Sequence, residues 1–285
     1  MELNQHDTMT INCNGKLLDL SCPQVMGILN ITPDSFYSES RKQTECDIEQ
    51  RALDILREGA SIIDIGAYSS RPGATDISNE EEMSRLRKGL AVVRRVLPDS
   101  ILSVDTFRAD VAKMCVEEYG VDIINDISAG ELDRGMFETV SRLKVPYIIM
   151  HMKGNPRTMQ QSPSYENLIN EEILYFSRKV NQLHELGVND IIIDPGFGFS
   201  KTLEHNYQLI AHMEELHELG LPILVGISRK SMIFKLLDCT PDEALNGTTV
   251  LNTIALTKGA SILRVHDVKA CVEAVRIYCK MQSEF

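Results

Sequence analysis

The sequence predicts an α/β protein, a (β/α)8 barrel entered through a short N-terminal β-hairpin, as one domain over residues 1–285. Three observations predict it. First, eight short apolar runs recur along the chain, rich in Ile and Val. They are apolar on both faces, as strands of a buried parallel sheet are. Second, an amphipathic stretch usually follows each run, and eight β-then-α units point to a closed barrel. Third, the length fits, since such barrels take ~250 residues and bury a core that needs no staples. An open doubly wound sheet is the competing architecture, but no GxGxxG follows the first run.

The elements follow in order. Residues 8–20 alternate as TMTINCNGKLLDL around Asn14-Gly15. Both positions of that dipeptide tolerate positive φ, which suits a two-residue hairpin turn. The barrel then occupies about 24–280. Its strands are VMGIL (25–29), SIIDI (61–65), SILSV (100–104), VDIIN (121–125), VPYIIM (145–150), DIIID (190–194), LPILVGI (221–227) and ASILRV (260–265). The stretch CDIEQRALDILREG (46–59) carries the helical signal, with Ile48, Ala52, Ile55 and Leu56 on one face. Gly59, Gly120, Gly187, Gly220 and Gly259 each sit one to three residues before a strand run, where a left-handed helix cap is expected.

Composition bounds the function. The net charge of −12 argues against wholesale binding to nucleic acid or to an anionic membrane. If the substrate is an anion, the positive field must be local. Seven scattered cysteines without CxxC spacing read as reduced cytosolic thiols, not a disulfide framework or zinc site. The start, MELNQHDTMT, has neither a basic nor an apolar signal-peptide region, and no apolar run approaches the ~20 residues of a membrane span. A cytoplasmic enzyme is expected.

In a (β/α)8 barrel the strand C-termini carry the chemistry. Here they deliver Asn30, Asp64, Asp105, Asn125, His151, Asp194, Ser228-Arg229-Lys230, and Arg264 with His266. Asn30, Asp105 and Ser228 also read as helix N-caps. Eight polar strand ends in register, several of them long or cationic, favour a shared site on one rim.

The wording of these segments resembles one family. GILNITPDSF (27–36), SSRPGA (69–74), SVDTFR (103–108), INDISAG (124–130), MHMKGNPRTMQ (150–160), DPGFGFSK (194–201), GISRKSM (226–232) and RVHDV (264–268) look like the dihydropteroate synthases of folate biosynthesis. The resemblance runs in order from about residue 24 to 275. It implies a (β/α)8 barrel, usually a homodimer, with Mg²⁺ as cofactor. The implied reaction joins 6-hydroxymethyl-7,8-dihydropterin diphosphate to p-aminobenzoate, releasing pyrophosphate and 7,8-dihydropteroate.

Residue chemistry fits those roles. A pterin presents an amino group, a ring N–H and a carbonyl. A carboxylate accepts two such hydrogens side by side, which suits Asp194. Asn125 can donate and accept on neighbouring ring atoms, and Lys230 can donate to a ring carbonyl or nitrogen. The resemblance implies that these three hold the pterin, with Asp105 on its far edge. Turn-opening for Asp194 and helix capping for Asn125 are the structural alternatives. A diphosphate leaving group needs positive charge, which Arg264 and His266 supply after the eighth strand. The resemblance adds Arg71 there, and Asn30 as an oxygen ligand for Mg²⁺. The SRKSM run is expected to start a helix, so that the Ser231 N–H meets the p-aminobenzoate carboxylate. Phe199 can pack on its ring. The resemblance places Phe36, Ser70, Arg71 and Pro72, on two segments that close over this end, around the same substrate, together with Lys230. Asp105, Lys230, Arg264 and His266 are then the candidate catalytic residues. Sulfonamides, which mimic p-aminobenzoate, are expected to compete for its pocket.

Two segments depart from the family pattern. Tyr68-Ser69-Ser70 stands where many members have Glu-Ser-Thr, which puts the contacts of the second segment in doubt, and Ser200 replaces a frequent Gly. Three other readings remain. A pterin-binding methyltransferase would share Asp105, Asn125 and Asp194, yet would not need the SRK run or the Arg264–His266 pair. A non-catalytic pterin-binding barrel would be expected to lose phosphate or metal residues. A Schiff-base aldolase would use Lys230.

Overall fold

The computed structural model describes residues 9–31, 45–69, 76–155 and 163–284. The hairpin forms as expected. Strands β1 (Thr10–Cys13) and β2 (Lys16–Asp19) pair antiparallel. Asn14 and Gly15 take φ of 53° and 87°, the two positive values that a primed hairpin turn demands.

The barrel follows as β3 (Gln24–Asn30), α1 (Glu45–Arg57), β4 (Ile62–Gly66), α2 (Asn79–Val96), β5 (Ile101–Asp105), α3 (Ala109–Tyr119), β6 (Ile123–Asp126), α4 (Met136–Leu143), β7 (Tyr147–Met150), α5 (Leu168–Glu185), β8 (Ile191–Asp194) and α6 (Leu203–Ala211). It continues as β9 (Leu224–Val225), a short α7 (Ser231–Phe234), α8 (Leu245–Thr257), β10 (Ile262–Val265) and α9 (Val268–Gln282). Every ladder between these eight strands is parallel. The order β8-β7-β6-β5-β4-β3-β10-β9 would leave one seam open, but an Ile193–Ile223 bridge and the Ile193 N–H to Pro222 carbonyl bond of 3.0 Å close it.

The seventh run is the one place where the strand is much shorter than its apolar stretch. LPILVGI yields a ladder of two residues, Leu224–Val225. Pro222 has no N–H to donate, so pairing at that end rests on its carbonyl and on Ile223. The helix caps behave as the glycine spacing predicts. Gly120 ends α3 at φ 59°, and Gly220 ends the 3-10 turn Met213–Leu219 at φ 65°.

Three apolar zones organise the molecule. The largest lies between strands and helices, with Leu29, Ile63, Ile65, Val104, Ile124 and Ile149 facing outward onto helix residues such as Ile55, Leu86 and Phe176. A second fills the lower barrel: Met26, Ile62, Ile123, Ile148, Ile192, Leu224 and Ile262 meet Ile11, Cys13, Leu18 and Leu20 of the hairpin segment. The hairpin thus plugs the N-terminal end. The third, Ile127, Met150 and Met152 with Phe107 and Phe199, lies toward the opposite mouth.

Strand alternation sets the next layer. Successive inward residues are two apart. Two residues beyond the apolar floor stand Asp64, Asn125, Asp194 and Arg264, above Ile62, Ile123, Ile192 and Ile262. The same period that buries the isoleucines therefore aims polar groups into the mouth.

Candidate active site

Register puts Asn30, Gly66, Asp105 and Asn125 side by side at four consecutive strand ends. Gly66 has room for no more than a methyl between its neighbours. A Cβ on it would stand 3.4 Å from Asn30 Oδ1 and 3.9 Å from Asp105 Oδ2, so an amide oxygen and a carboxylate face the same gap.

Arg264 starts lower on the wall, opposite Met26, and reaches up. Its Nε donates to Asp64 Oδ2 at 2.6 Å and its Nη2 to Asp105 Oδ2 at 2.8 Å. Asn125 Nδ2 donates to the same Asp64 oxygen at 3.3 Å. Burial disfavours the Arg264 charge, yet Asp64 and Asp105 outweigh it and hold the guanidinium firmly protonated. Burial raises Asp105 to about 7 despite Arg264. Arg264 is thus the hub of a half-buried network, paired with two carboxylates. His266 Nδ1 lies 3.1 Å from Ser228 Oγ.

Asp194 ends β8 nearly inaccessible, at 6 % exposure. Its Oδ1 accepts the Gly196 N–H at 2.8 Å, a turn-opening bond that leaves the second oxygen for another donor. Burial raises its pKa, opposed chiefly by the charge of Lys230. Lys230 in turn is lowered by burial to about 8, against the support of Asp194. Its Nζ donates to the Phe197 carbonyl at 2.5 Å and lies 4.6 Å from the centre of the Phe199 ring. Asp194, Lys230 and Phe199 therefore form one wall.

The SRKSM run does start a helix, but α7 is a single turn from Ser231, so its macrodipole is small. Arg229 has left the site. Its guanidinium grips Asp267 through two 2.8 Å bonds and also donates to the carbonyls of Pro241 and Asp242. Phe36, Ser70, Arg71 and Pro72 lie outside the described residues.

Both departures from the family pattern have physical accounts. Ser200 adopts φ 47°, a left-handed position that explains the usual glycine. Its hydroxyl offsets the strain by accepting the Lys153 N–H and donating to the Phe199 carbonyl, both at 2.8 Å. Tyr68 packs edge-on against Phe107 with ring centres 5.0 Å apart, and the Arg108 guanidinium lies 5.5 Å from its ring centre. Arg108 is itself held by buried Glu82 and by the Ile77 carbonyl.

Strand-end reasoning erred on one residue and overlooked others. His151 does not face the shared rim. It is 2 % exposed and turns toward Lys201 and Glu172 behind the wall. Asp64 had no assigned role, although a lone Asp in a strand buried on both faces must find a partner. Glu172 was also legible. It falls on the α5 stripe of Leu168, Ile169, Phe176, Val180 and Leu183, where a carboxylate needs a buried cation.

Among the described residues no cluster of three or more His, Cys, Asp or Glu side chains stands ready for a metal. That still suits Mg²⁺, which takes one or two protein oxygens and fills its shell with water and substrate phosphate. The Asn30 amide oxygen next to Gly66 is an oxygen of the kind that would fit.

Comparison with known proteins agrees with this geometry. The sequence pattern of the family described as pterin binding enzyme matches residues 26–266. Dihydropteroate synthase of Escherichia coli strain K12 is 42% identical over 273 residues, covering 94% of this chain and 95% of that protein. The structure of Yersinia pestis dihydropteroate synthase with a sulfonamide drug superposes with a TM-score of 0.90 at 42% identity, covering 96% of this chain and all of the other. Xanthomonas albilineans dihydropteroate synthase with 4-aminobenzoic acid gives a TM-score of 0.84 at 36% identity, covering 96% and 98%. A pterin-binding barrel matched in sequence and in overall structure over nearly its whole length, this chain belongs to the dihydropteroate synthases.

Proposed function

We propose that the chain condenses 6-hydroxymethyl-7,8-dihydropterin diphosphate with p-aminobenzoate, giving 7,8-dihydropteroate and pyrophosphate. The observation that carries this reading is the wall of Asp194, Lys230 and Phe199 beside Asn125 and the Arg264 network, at the mouth of the barrel.

Asp194 accepts the two hydrogens of the pterin amino edge, while Lys230 donates to the ring carbonyl or ring nitrogen. Asn125 holds the neighbouring ring atoms and Asp105 the far edge. On the diphosphate side stand Arg264 and His266, together with Arg71. A diphosphate arriving there competes with Asp105 for the guanidinium. Asn30 would hold Mg²⁺, which supplies charge neutralisation for the departing pyrophosphate. The C–O bond breaks with its electron pair leaving on pyrophosphate. The resulting cation is conjugated with the electron-rich pterin. The aniline nitrogen then forms the C–N bond and releases its proton. No protein nucleophile is required, so positioning and electrostatics provide the rate.

p-Aminobenzoate stacks against Phe199, with its carboxylate toward Ser231 and Lys230. Phe36, Ser70, Arg71 and Pro72 complete that pocket by family resemblance. Sulfonamides share the ring, the aniline and an anionic end, and are expected to compete with p-aminobenzoate and not with the pterin. The working unit is a homodimer in the cytoplasm, joined through the exposed apolar face of α8 and α9.

Pyrophosphate release tests the reading. It is expected to need the pterin diphosphate, to rise with p-aminobenzoate, and to stop in excess chelator. Release that ignores p-aminobenzoate would refute the condensation; full activity in chelator would remove the metal.

A further inference from the structure

A buried charged cluster lies directly behind the substrate wall, and the reaction above leaves it without a task. Lys201 and Glu172 have no exposed side-chain surface, and the His151 side chain is 3 % exposed. Glu172 Oε1 lies 3.1 Å from Lys201 Nζ and 3.2 Å from His151 Nδ1. Neither contact has hydrogen-bond alignment at the carboxylate. Burying such a pair is a weak source of stability, and an apolar substitute of similar volume is often neutral or better. Its cost calls for another return.

That return is visible in what Lys201 holds. Its Nζ donates to the Gly196 carbonyl at 3.2 Å and to the Phe199 carbonyl at 3.3 Å. Gly196 is the residue whose N–H fixes Asp194. It is also wedged against β7, since a Cβ there would stand 2.2 Å from the His151 carbonyl oxygen. The intervening Phe197 carbonyl is taken by Lys230 of the substrate wall. The turn after β8 is therefore gripped by two ammonium groups, one facing the site and one behind it. The rear one is anchored to α5 through Glu172 and to the end of β7 through His151.

We propose that Lys201, braced by Glu172 and His151, is a positioning residue that sets the turn carrying Phe199 and so the affinity for p-aminobenzoate. This rests on the reading that Phe199 lines the p-aminobenzoate pocket. Lys201 touches no substrate. A fixed supporting shell is what holds a binding wall within the small tolerance that productive geometry allows.

The test separates positioning from folding. Lys201→Met is expected to raise the KM for p-aminobenzoate about tenfold. Pterin diphosphate affinity, measured without p-aminobenzoate, is expected to change less than about threefold, because Asp194 keeps its Gly196 N–H. The Tm falls, since Glu172 is left buried without its cation. In Lys201→Met/Glu172→Leu the unpaired charge is gone. The Tm is expected to recover while the KM for p-aminobenzoate stays high, because the Gly196 and Phe199 carbonyls have lost the ammonium that ties them together and keep only the Phe199 N–H and the Ser200 hydroxyl, both within the turn itself. Recovery of KM together with Tm, or equal losses for both substrates, would overturn the proposal and leave a merely structural ion pair. If the Lys201 variants do not fold, Glu172→Gln keeps the shape and withdraws the anchor. A raised p-aminobenzoate KM then supports the proposal and an unchanged one overturns it. The wild-type enzyme is the control for the underlying reading: if its pyrophosphate release ignores p-aminobenzoate, the reading fails before any variant is made.

Discussion

At the residue scale, Asp194 and Lys230 are coupled, and each makes a prediction. Asp194→Asn replaces a two-point acceptor by a group that accepts at one point only. An unmatched buried donor costs ~1–3 kcal/mol, and more where charge is involved, so the pterin Kd is expected to rise at least about tenfold by calorimetry. An unchanged Kd would remove Asp194 from the pterin site. Lys230 sets a pH limit. Burial lowers its pKa to about 8, so its charge is lost as pH rises through that value. The kcat/KM for the pterin diphosphate is expected to fall above about pH 8, and Lys230→Arg to remove that limb. A limb that persists in the arginine variant would belong to another group. The stability effect has the opposite sense. The unfolded lysine keeps its proton to its ordinary pKa of 10.5, whereas the folded one releases it near 8. The cost of burying the charge is constant below pH 8 and is relieved between those values as pH rises. Asp194, Asn125 and Lys230 were legible because strand-end position and residue chemistry coincide. Lys201 was not, because nothing in DPGFGFSK says that its side chain turns to Glu172 of α5 and back to the Gly196 and Phe199 carbonyls.

At the scale of elements, the apolar runs read well where both neighbours in the barrel offer a full ladder. The run at 221–227 read too long because Pro222 withholds a donor and the chain leaves the sheet at Gly226. The hairpin was visible in Asn14-Gly15, but its duty as a plug was not, since packing against Met26 and Ile262 is a long-range fact. That duty makes a prediction. Leu18 is 6 % exposed and packs into the lower barrel cluster. Leu18→Ala is expected to cost ~2–4 kcal/mol, and each kcal/mol lowers the Tm of a chain this size by roughly 2–4 °C. The site lies at the other end of the strands, so kcat and both KM values are expected to stay as they are. Thermal unfolding with steady-state kinetics checks both halves. A raised KM without lost stability would mean that the hairpin communicates with the mouth.

For the whole molecule, the closed barrel was legible because its eight units repeat one physical pattern, whereas the outer surface repeats nothing and a sequence hides its faces. The face of α8 and α9 stands out. Leu245, Val250 and Ile254 on α8 are 40, 50 and 38 % exposed, and Ile277 and Met281 on α9 are 73 and 45 %. A groove of about 690 Å³ runs between the helices, lined by Leu245, Thr249, Thr253, Ala274, Ile277 and Met281. Large apolar side chains gathered with small ones on one surface have the character of an interface core. A stable dimer buries roughly 1,200–2,000 Å² in all, and two adjacent helices on each subunit can supply that area. The proposed homodimer is therefore expected to fail when charge is placed in the middle of this face. Ile277→Lys leaves the barrel interior untouched, because Ile277 is the most exposed residue of the group. In a two-fold interface it also brings in two like charges, so the dimer is expected to weaken by at least about tenfold. Sedimentation velocity across a dilution series reads the change, and the wild-type Tm is expected to rise with protein concentration while that of the variant does not. A wild-type chain that sediments as a monomer at micromolar concentration, or an Ile277→Lys variant that remains dimeric, would show that these helices are covered by something other than a second copy.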